Sequence, residues 1–258
     1  MNYLVYDIES TGLDTQKSEI LELCIINYKS EEILLHEYVY PDYESITNSD
    51  IHGIDLEKIK SNNGITQEEL VNKLLEIFNN NKKYLMIAHN NNGYDQLLLE
   101  YSLKRKTKKI PTNVYFSDSL IMMRQIYPNG GCYKLGAIYK AFFGNSDNIN
   151  FHCGIDDTKA LVRILKRVDN KQNKKFHSTL DKLKRPAFQN NDIKKLSYKI
   201  LYGLEYTNHK VIKTVYDLHD VYLIMEKRHT ISLLREDFKI YSKYKINKII
   251  EQLSLINE

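Results

Sequence analysis

The stretch YLVYDIES, residues 3–10, decides the fold of this chain. Its first five residues form a short apolar run rich in β-forming side chains, which predicts a buried strand ending at an acidic residue. Residues two apart on a strand point to the same face, so the carboxylates of Asp7 and Glu9 project together while Ile8 points to the opposite face. Two adjacent carboxylates repel each other unless a cation neutralises them. The two acids therefore favour a divalent-metal site, with a solvated strand edge as the alternative.

The residues that follow alternate between predicted strands and helices. Strands are predicted over residues 21–26, 33–40, 84–88 and 114–117, and helices over residues 65–78, 94–103, 118–126, 133–143 and 156–168. Thr66 is a suitable N-cap for the first of these helices, and Glu69 completes its capping box. Three strands followed by alternating helices and strands predict an α/β fold, a mixed β-sheet flanked by helices.

The composition excludes several classes of protein. The 258 residues are 42 % apolar, enough for one domain of about 150–180 residues and a smaller second unit. No apolar run reaches the ~18 residues of a membrane span, and an acid at position 7 interrupts any signal-peptide core. Three scattered cysteines argue against a disulfide framework. We therefore expect an intracellular protein in a reducing compartment, without a membrane partner.

Charge is distributed unevenly along the chain. Residues 1–162 carry 16 Lys and Arg against 22 Asp and Glu, whereas residues 163–258 carry 21 against 11. Residues 163–199 alone have twelve basic and three acidic side chains. An acidic first part suits cations and a basic second part suits phosphates, with a solvated basic surface as the alternative. Three regions are predicted: an α/β domain over residues 1–168, a basic linker or arm over 169–199, and a small, mainly helical appendage over 200–258.

Two further motifs place acids near predicted helix starts. In AHNNNGYD, residues 88–95, a buried strand runs through a polar turn to Asp95 in the first turns of a helix. In HCGIDD, residues 152–157, His152 precedes a helix and Asp157 lies about one turn into it. Each motif alone has a structural explanation, because an acid near a helix N-terminus interacts favourably with the helix dipole and a histidine there packs or caps.

In this order, DIESTGLD (7–14), AHNNNGYD (88–95) and HCGIDD (152–157) resemble the motifs of the DEDDh exonucleases, a family named for four acids and a histidine. The family includes the proofreading subunit of the bacterial replicative polymerase, TREX-type exonucleases, RNase T and oligoribonuclease. Weaker matches, among them IHGID (51–55), extend the resemblance over most of the first 165 residues. The resemblance implies an RNase H-like fold and 3′–5′ exonuclease activity.

The resemblance also implies roles for individual residues. Four acids would bind two divalent cations: Asp7, Glu9, Asp95 and Asp157. Their hard oxygen atoms favour Mg²⁺ or Mn²⁺ over Zn²⁺. His152 would be the general base, since a tyrosine subclass has Tyr four residues before the last acid, where this chain has Cys153. The neighbouring Asp156 is expected to be the helix N-cap.

A terminal-nucleotide pocket is implied by the residues after the first two acids. Ser10, Thr11, Gly12 and Leu13 resemble the family's pocket, in which Thr11 and Gly12 would approach the last sugar and Leu13 would pack against the last base. Asn90 is a further candidate for substrate binding. Its alternative role is to order the loop before Asp95 through hydrogen bonds, without touching substrate.

The expected partner is a single-stranded nucleic acid with a free 3′ end, with DNA favoured over RNA. An exoribonuclease with the same residues is the main alternative, because pocket contacts set the sugar preference and the sequence does not show them. A nucleic-acid-binding protein with an inactive nuclease fold is disfavoured, because all five key residues are present. A polymerase-associated proofreading subunit, docking a polymerase or another replication partner through its C-terminal region, is also open.

Overall fold

A computed structural model of the chain describes residues 1–43, 45–144 and 149–187. The strands of this part are β1 (Asn2–Ser10), β2 (Ile20–Asn27), β3 (Ile33–Tyr38), β4 (Tyr84–Ala88), β5 (Val114–Asp118) and β6 (Arg185–Pro186). Its helices are α1 (Ser49–His52), α2 (Leu56–Ser61), α3 (Gln67–Phe78), α4 (Asp95–Arg105), α5 (Ser119–Ile126), α6 (Leu135–Phe143) and α7 (Gly154–Leu183). The predicted helical appendage over residues 200–258 lies outside the described residues.

The strands form one mixed sheet with the order β3-β2-β1-β4-β5-β6. Strand β1 pairs antiparallel with β2 and parallel with β4, so it lies in the middle of the sheet. Strands β4 and β5 pair in parallel, and β6 adds antiparallel to β5. The predicted mixed α/β sheet flanked by helices is confirmed. Strand β6 and the short helices α1 and α2 were not predicted.

The two faces of β1 have different neighbours. Leu4, Tyr6 and Ile8 are buried in a cluster that also contains apolar residues of α3 and α4. Because side chains alternate along a strand, Asp7 and Glu9 point to the opposite face, where α7 packs against β1 and β2. The predicted separation of Ile8 from the two acids is therefore confirmed.

Local sequence signals explain where α3 and α5 begin. Thr66 Oγ1 accepts a hydrogen bond from Glu69 N at 3.2 Å, and Glu69 Oε2 accepts one from Thr66 N at 2.8 Å, which confirms the predicted capping box. Asp118 ends β5 and caps α5 by accepting from Ile121 N at 3.2 Å. These bonds satisfy N–H groups that have no acceptor within their own helix.

Helix α7 is much longer than the predicted helix over residues 156–168. It continues to Leu183, and its second half buries Phe176, Leu180 and Leu183. The prediction of a linker beginning at residue 169 is therefore wrong for residues 169–183, which belong to the folded core. The remainder of the predicted linker, apart from residues 184–187, lies outside the described residues. No helix in the described ranges is both long and apolar enough to cross a membrane.

Candidate active site

The centre of the site is a cluster of carboxylates on the face of the sheet that α7 covers. One ligand oxygen from each of Asp7, Glu9 and Asp157 lies within 4.8 Å of the others. The strand alternation of β1 brings the first two together, and α7 supplies the third. The fold thus brings Asp157 close to Asp7 and Glu9, which lie far from it in the chain.

Asp157 is held in place by its own helix start. Helix α7 begins at Gly154, so Asp157 lies in its first turn. One carboxylate oxygen, Oδ2, accepts a hydrogen bond from the backbone N–H of His152 at 3.0 Å. The other oxygen, Oδ1, is buried and has no hydrogen-bond partner among the described residues. A buried carboxylate oxygen without a donor costs free energy unless a cation occupies its lone pairs, so this atom is suited to ligate a metal.

Asp95 begins α4 and is only 3 % exposed. The loop before it is fixed by Asn91, whose Oδ1 accepts a hydrogen bond from the Tyr6 hydroxyl and whose Nδ2 donates to Ser117 O at 2.8 Å. Asp118 Oδ2 accepts from Asn92 N at 2.8 Å. These bonds tie the loop before Asp95 to β1 and β5. Besides burial, the charge of Asp95 raises the pKa of Asp7, but Asp95 is not one of the three acids whose ligand oxygens lie within 4.8 Å of one another.

The site is strongly anionic for a buried location. Burial raises the pKa of Asp7 well above its ordinary value, and the nearby charges of Asp95 and Asp157 raise it further. Burial and then the charge of Asp157 raise the pKa of Glu9 to about 8. Burial also raises the pKa of Asp95 to about 8 and that of Asp157 to about 6. Crowded carboxylates of this kind bind protons or divalent cations, and their hard oxygen atoms match divalent ions such as Mg²⁺.

His152 lies just before α7 with its side chain exposed at the edge of the cluster. Its φ of 70° is in the left-handed region, which non-glycine residues seldom adopt. The hydrogen bond from its N–H to Asp157 Oδ2 stabilises this conformation. The structure thus brings His152 close to the carboxylates through its backbone and leaves its imidazole open to solvent and to a ligand.

The expected role of Asp156 as N-cap of α7 is wrong. The helix begins two residues earlier, Cys153 is the N-cap residue, and Asp156 lies in the first turn. Asp157, not Asp156, joins the carboxylate cluster. The spacing of four residues between His152 and the acid also selects Asp157.

The residues of the predicted nucleotide pocket differ in exposure. Ser10 is 5 % exposed, and its hydroxyl donates to Gly12 O at 2.8 Å and bonds to the Tyr94 hydroxyl. Thr11 is 2 % exposed, and its hydroxyl accepts from Glu19 N at 3.0 Å. Leu13, by contrast, is 82 % exposed. Among the predicted residues with side chains, Leu13 is therefore the one best placed to meet a base, while Ser10 and Thr11 shape the turn.

Asn90 helps to form the turn before Asp95. It adopts a left-handed φ of 67°, and its carbonyl accepts from the N–H groups of Gly93 and Tyr94. This geometry accords with its loop-ordering alternative. The fully buried amide of the loop belongs to the next residue, Asn91.

Sequence reasoning missed two buried acids near the site, Glu22 and Asp118. Glu22 is fully buried on β2 and lies opposite Glu9 in the strand register. Asp118 is 2 % exposed and bonds the N–H groups of Asn92 and Ile121. The available signal was the presence of a charged residue inside or directly after an apolar strand, because such residues are rarely buried without partners.

The profile of a protein family described as "Exonuclease", of the RNase T type, matches residues 4–165. The chain belongs to this exonuclease family. The match spans the three motifs and all five predicted key residues. The prediction that the chain is a member of this exonuclease family is therefore confirmed.

Similar curated proteins of this exonuclease family are much longer than the chain. It is 27 % identical over 220 residues to the PolC-type DNA polymerase III of Clostridium perfringens, covering 84 % of this chain and 14 % of the polymerase. It is 28 % identical over 165 residues to the PolC-type enzyme of Caldanaerobacter subterraneus, covering 63 % of this chain and 11 % of that one. The chain thus spans only a small part of the length of these relatives.

Solved structures of E. coli exonuclease I share the fold. The complex with a dT13 oligonucleotide matches with a TM-score of 0.60 and 17 % identity, over 76 % of this chain and 45 % of that one. A zinc-bound complex of the same enzyme with single-stranded DNA matches with a TM-score of 0.60 and 18 % identity, over 70 % of this chain and 43 % of that one. At this identity the likeness supports the fold of the exonuclease family alone.

Proposed function

We propose that the chain is a metal-dependent exonuclease that removes nucleotides one at a time from the 3′ end of single-stranded DNA. Two divalent cations, Mg²⁺ or Mn²⁺, would be held by four carboxylates: Asp7, Glu9, Asp95 and Asp157. The observation that carries this proposal is the meeting of three carboxylates within 4.8 Å, one of them with a buried, unpartnered oxygen. Among the described residues no other group of His, Cys, Asp or Glu has this arrangement.

The chain's residues divide the chemistry between them. When bound, the cations would supply the charge neutralisation and Lewis acidity that phosphodiester hydrolysis requires. Asp157 would offer Oδ1 while its Oδ2 stays bonded to His152 N. Asp7 and Glu9 would bind from β1, and Asp95 from the start of α4. Because their ionised forms repel one another, cation binding would displace the protons that these acids retain.

His152 would act as the general base. Its imidazole is exposed beside the cluster, where it would accept a proton from the attacking water. The backbone bond to Asp157 links the base to a metal ligand, so that both would move together with the start of α7. At the other end of the site, the exposed side chain of Leu13 would pack against the terminal base, next to the turn that Ser10, Thr11 and Gly12 form.

The similarity to DNA-acting proteins favours DNA over RNA as the substrate of this chain. The similar solved structures include exonuclease I bound to single-stranded DNA, and the similar curated proteins are DNA polymerases. The PolC-type matches also support a second candidate, a proofreading exonuclease that works with a polymerase. The alternative substrate is RNA, which would make the chain an exoribonuclease with the same site.

One digestion experiment tests direction, sugar and metal together. Single-stranded DNA and RNA oligonucleotides, labelled at either the 5′ or the 3′ end, are incubated with the full chain in Mg²⁺ or in EDTA. We expect 5′-labelled DNA to shorten stepwise, 3′-labelled DNA to release labelled mononucleotide at once, RNA to react more slowly, and EDTA to abolish hydrolysis. Early release of labelled mononucleotide from the 5′ end, or full activity in EDTA, would refute the proposal.

A matched pair of variants tests which aspartate at the start of α7 is needed for hydrolysis. Asp157→Asn should abolish hydrolysis, whereas Asp156→Asn, one residue away and outside the carboxylate cluster, should retain it. The two substitutions remove the same charge from the same helix turn. Equal loss in both variants would mean that the charge of the helix start, and not the ligand oxygen of Asp157, supports activity.

A further inference from the structure

Glu22 is a buried carboxylate that the proposed chemistry does not use. It lies on β2 within the otherwise apolar run ILELCII, residues 20–26, and is 0 % exposed. In the strand register it stands opposite Glu9, so a fifth acid adjoins an already crowded anionic site. Burying a charged carboxylate beside like charges is unfavourable unless hydrogen-bond donors surround it. The groups that donate hydrogen bonds to Glu22 therefore indicate which part of the fold it stabilises.

The donors come from the start of α7 and from His36 and Tyr38 of β3. Glu22 Oε2 accepts from the backbone N–H of Gly154 at 3.0 Å, and Oε1 accepts from that of Ile155 at 3.3 Å. His36 Nε2 lies 2.8 Å from Oε1. The first N–H groups of a helix have no acceptor within the helix, and the N-cap residue Cys153 provides no side-chain bond. Glu22 thus caps α7 from a neighbouring strand, where the positive end of the helix dipole also stabilises its charge.

Gly154 permits the close approach of Glu22. A Cβ at this position would lie 3.0 Å from Glu22 Cδ and 3.2 Å from Oε2. Within the described ranges only Gly53 and Gly144 are glycines with positive φ, so the backbone conformation at Gly154 does not require glycine. The absence of a side chain there serves the contact with the carboxylate.

We propose that Glu22 is a positioning residue, which anchors the start of α7 to β2 and thereby fixes Asp157 and His152 relative to the acids of β1. The anchored N–H groups lie between His152 and Asp157 in the chain, and those two residues are joined by a hydrogen bond. Strand β2 pairs with β1 at Glu9. Through β2, the carboxylate of Glu22 therefore connects β1 and α7, two of the three elements that carry the proposed metal ligands. The inference rests on the metal site of the proposed function.

Two substitutions test the anchor without changing the net charge. Glu22→Asp shortens the side chain by one methylene, so that it no longer reaches both N–H groups. Gly154→Ala pushes a Cβ against the carboxylate, although alanine otherwise favours a helix. As a control, Asn113→Ala removes hydrogen bonds from Asn113 Nδ2 to the carbonyls of Phe78, Asn80 and Lys82, at the end of β5 opposite Asp118. It should lower stability without changing the site.

The measurement is the affinity of the full-length protein for Mn²⁺ by titration calorimetry, with kcat and KM on a single-stranded DNA oligonucleotide in saturating Mn²⁺. We expect Glu22→Asp and Gly154→Ala to weaken Mn²⁺ binding and lower kcat by about 10- to 100-fold, the range for residues that orient metal ligands. KM should stay nearly constant, and Asn113→Ala should match the wild type in all three values.

The outcomes separate the possible explanations. If both charge-preserving variants bind Mn²⁺ as the wild type does and retain kcat, Glu22 is not a positioning residue. If Asn113→Ala loses as much affinity as they do, the effect is general destabilisation, and the inference is again overturned. If the wild type itself binds no Mn²⁺, the proposed function fails before the role of Glu22 is reached.

Discussion

Replacement of Glu9 by glutamine should stabilise the metal-free protein at alkaline pH. Glu9 has no hydrogen bond or ion pair within the described residues that the amide would lose, and its pKa is raised from 4.5 to about 8, mainly by burial and then by the charge of Asp157. Between these two values the folded chain holds a proton that the unfolded chain has released. The free energy of unfolding of the wild type therefore falls as pH rises through this window.

The size of the effect follows from the displacement of the pKa. Each unit is worth about 1.4 kcal/mol, so ionised Glu9 costs the folded protein at most about 5 kcal/mol. The side chain is partly exposed, and solvent screening reduces this to about 2–3 kcal/mol. Because 1 kcal/mol moves Tm by about 2–4 °C in a chain of this size, Glu9→Gln should raise Tm by about 5–10 °C at pH 8.5.

The assay is thermal unfolding in EDTA at pH 5 and at pH 8.5. At pH 5 the two proteins should have nearly equal Tm, since Glu9 is then protonated in the folded state. Glu76→Gln is the matched control, because Glu76 is exposed on α3 and its replacement should leave Tm nearly unchanged. A Glu9→Gln variant that is less stable than the wild type at pH 8.5 would refute the reasoning that the acids are crowded and buried.

Three other predictions follow from the same structure. His152→Ala should lower kcat by about 10²–10⁴-fold and leave Mn²⁺ affinity unchanged; a variant that keeps the wild-type kcat would reassign the base. Phe176→Ala should lower the free energy of unfolding by about 3–5 kcal/mol in denaturant titration, because this ring is fully buried, and a negligible change would contradict the long α7. Deletion of residues 188–258 should weaken binding to long single strands and flatten its salt dependence in fluorescence titrations, while dinucleotide hydrolysis survives; unchanged affinity and slope would exclude a role in substrate binding.

The acids of β1 could be predicted because their placement depends on local periodicity. Asp7 and Glu9 share a face for the reason that any two residues at i and i+2 of a strand do, and the apolar run before them makes the strand recognisable. The capping box of α3 is local in the same sense, since Thr66 and Glu69 lie three residues apart. Asp95 and Asp157 were identified by the order and spacing of motifs, and not by any physical signal in their own segments.

The second half of α7 could not be predicted for a physical reason. Gln172 has non-helical φ and ψ of −137° and 34°, which mark a kink between two helical segments. Around it the sequence reads Asn-Lys-Gln-Asn-Lys-Lys over residues 170–175, so the apolar spacing is interrupted where the helix bends. Burial of Phe176 and Leu180 against the core outweighs the weak local signal.

The role of Glu22 depends on contacts that are distant in sequence. Its two backbone donors, Gly154 and Ile155, lie more than 130 residues further along the chain. A single glutamate in an apolar strand shows that a partner is required, but the partner is defined only once α7 packs on β2. The same holds for Asp118 and the loop at Asn92, which are adjacent only because β4 and β5 pair in parallel.

The central claim is that the carboxylates of β1, α4 and α7 together hold divalent cations, and counting the bound ions tests it most directly. Titration calorimetry of the metal-free chain with Mn²⁺ at pH 7.5 should show two ions bound to the wild type. Asp157→Asn, whose amide oxygen can still accept from His152 N while its NH₂ group takes the position of the buried Oδ1, should bind at most one, and Asp156→Asn should bind two. A wild type that binds no Mn²⁺, or an Asp157→Asn variant that binds it as the wild type does, would contradict the account.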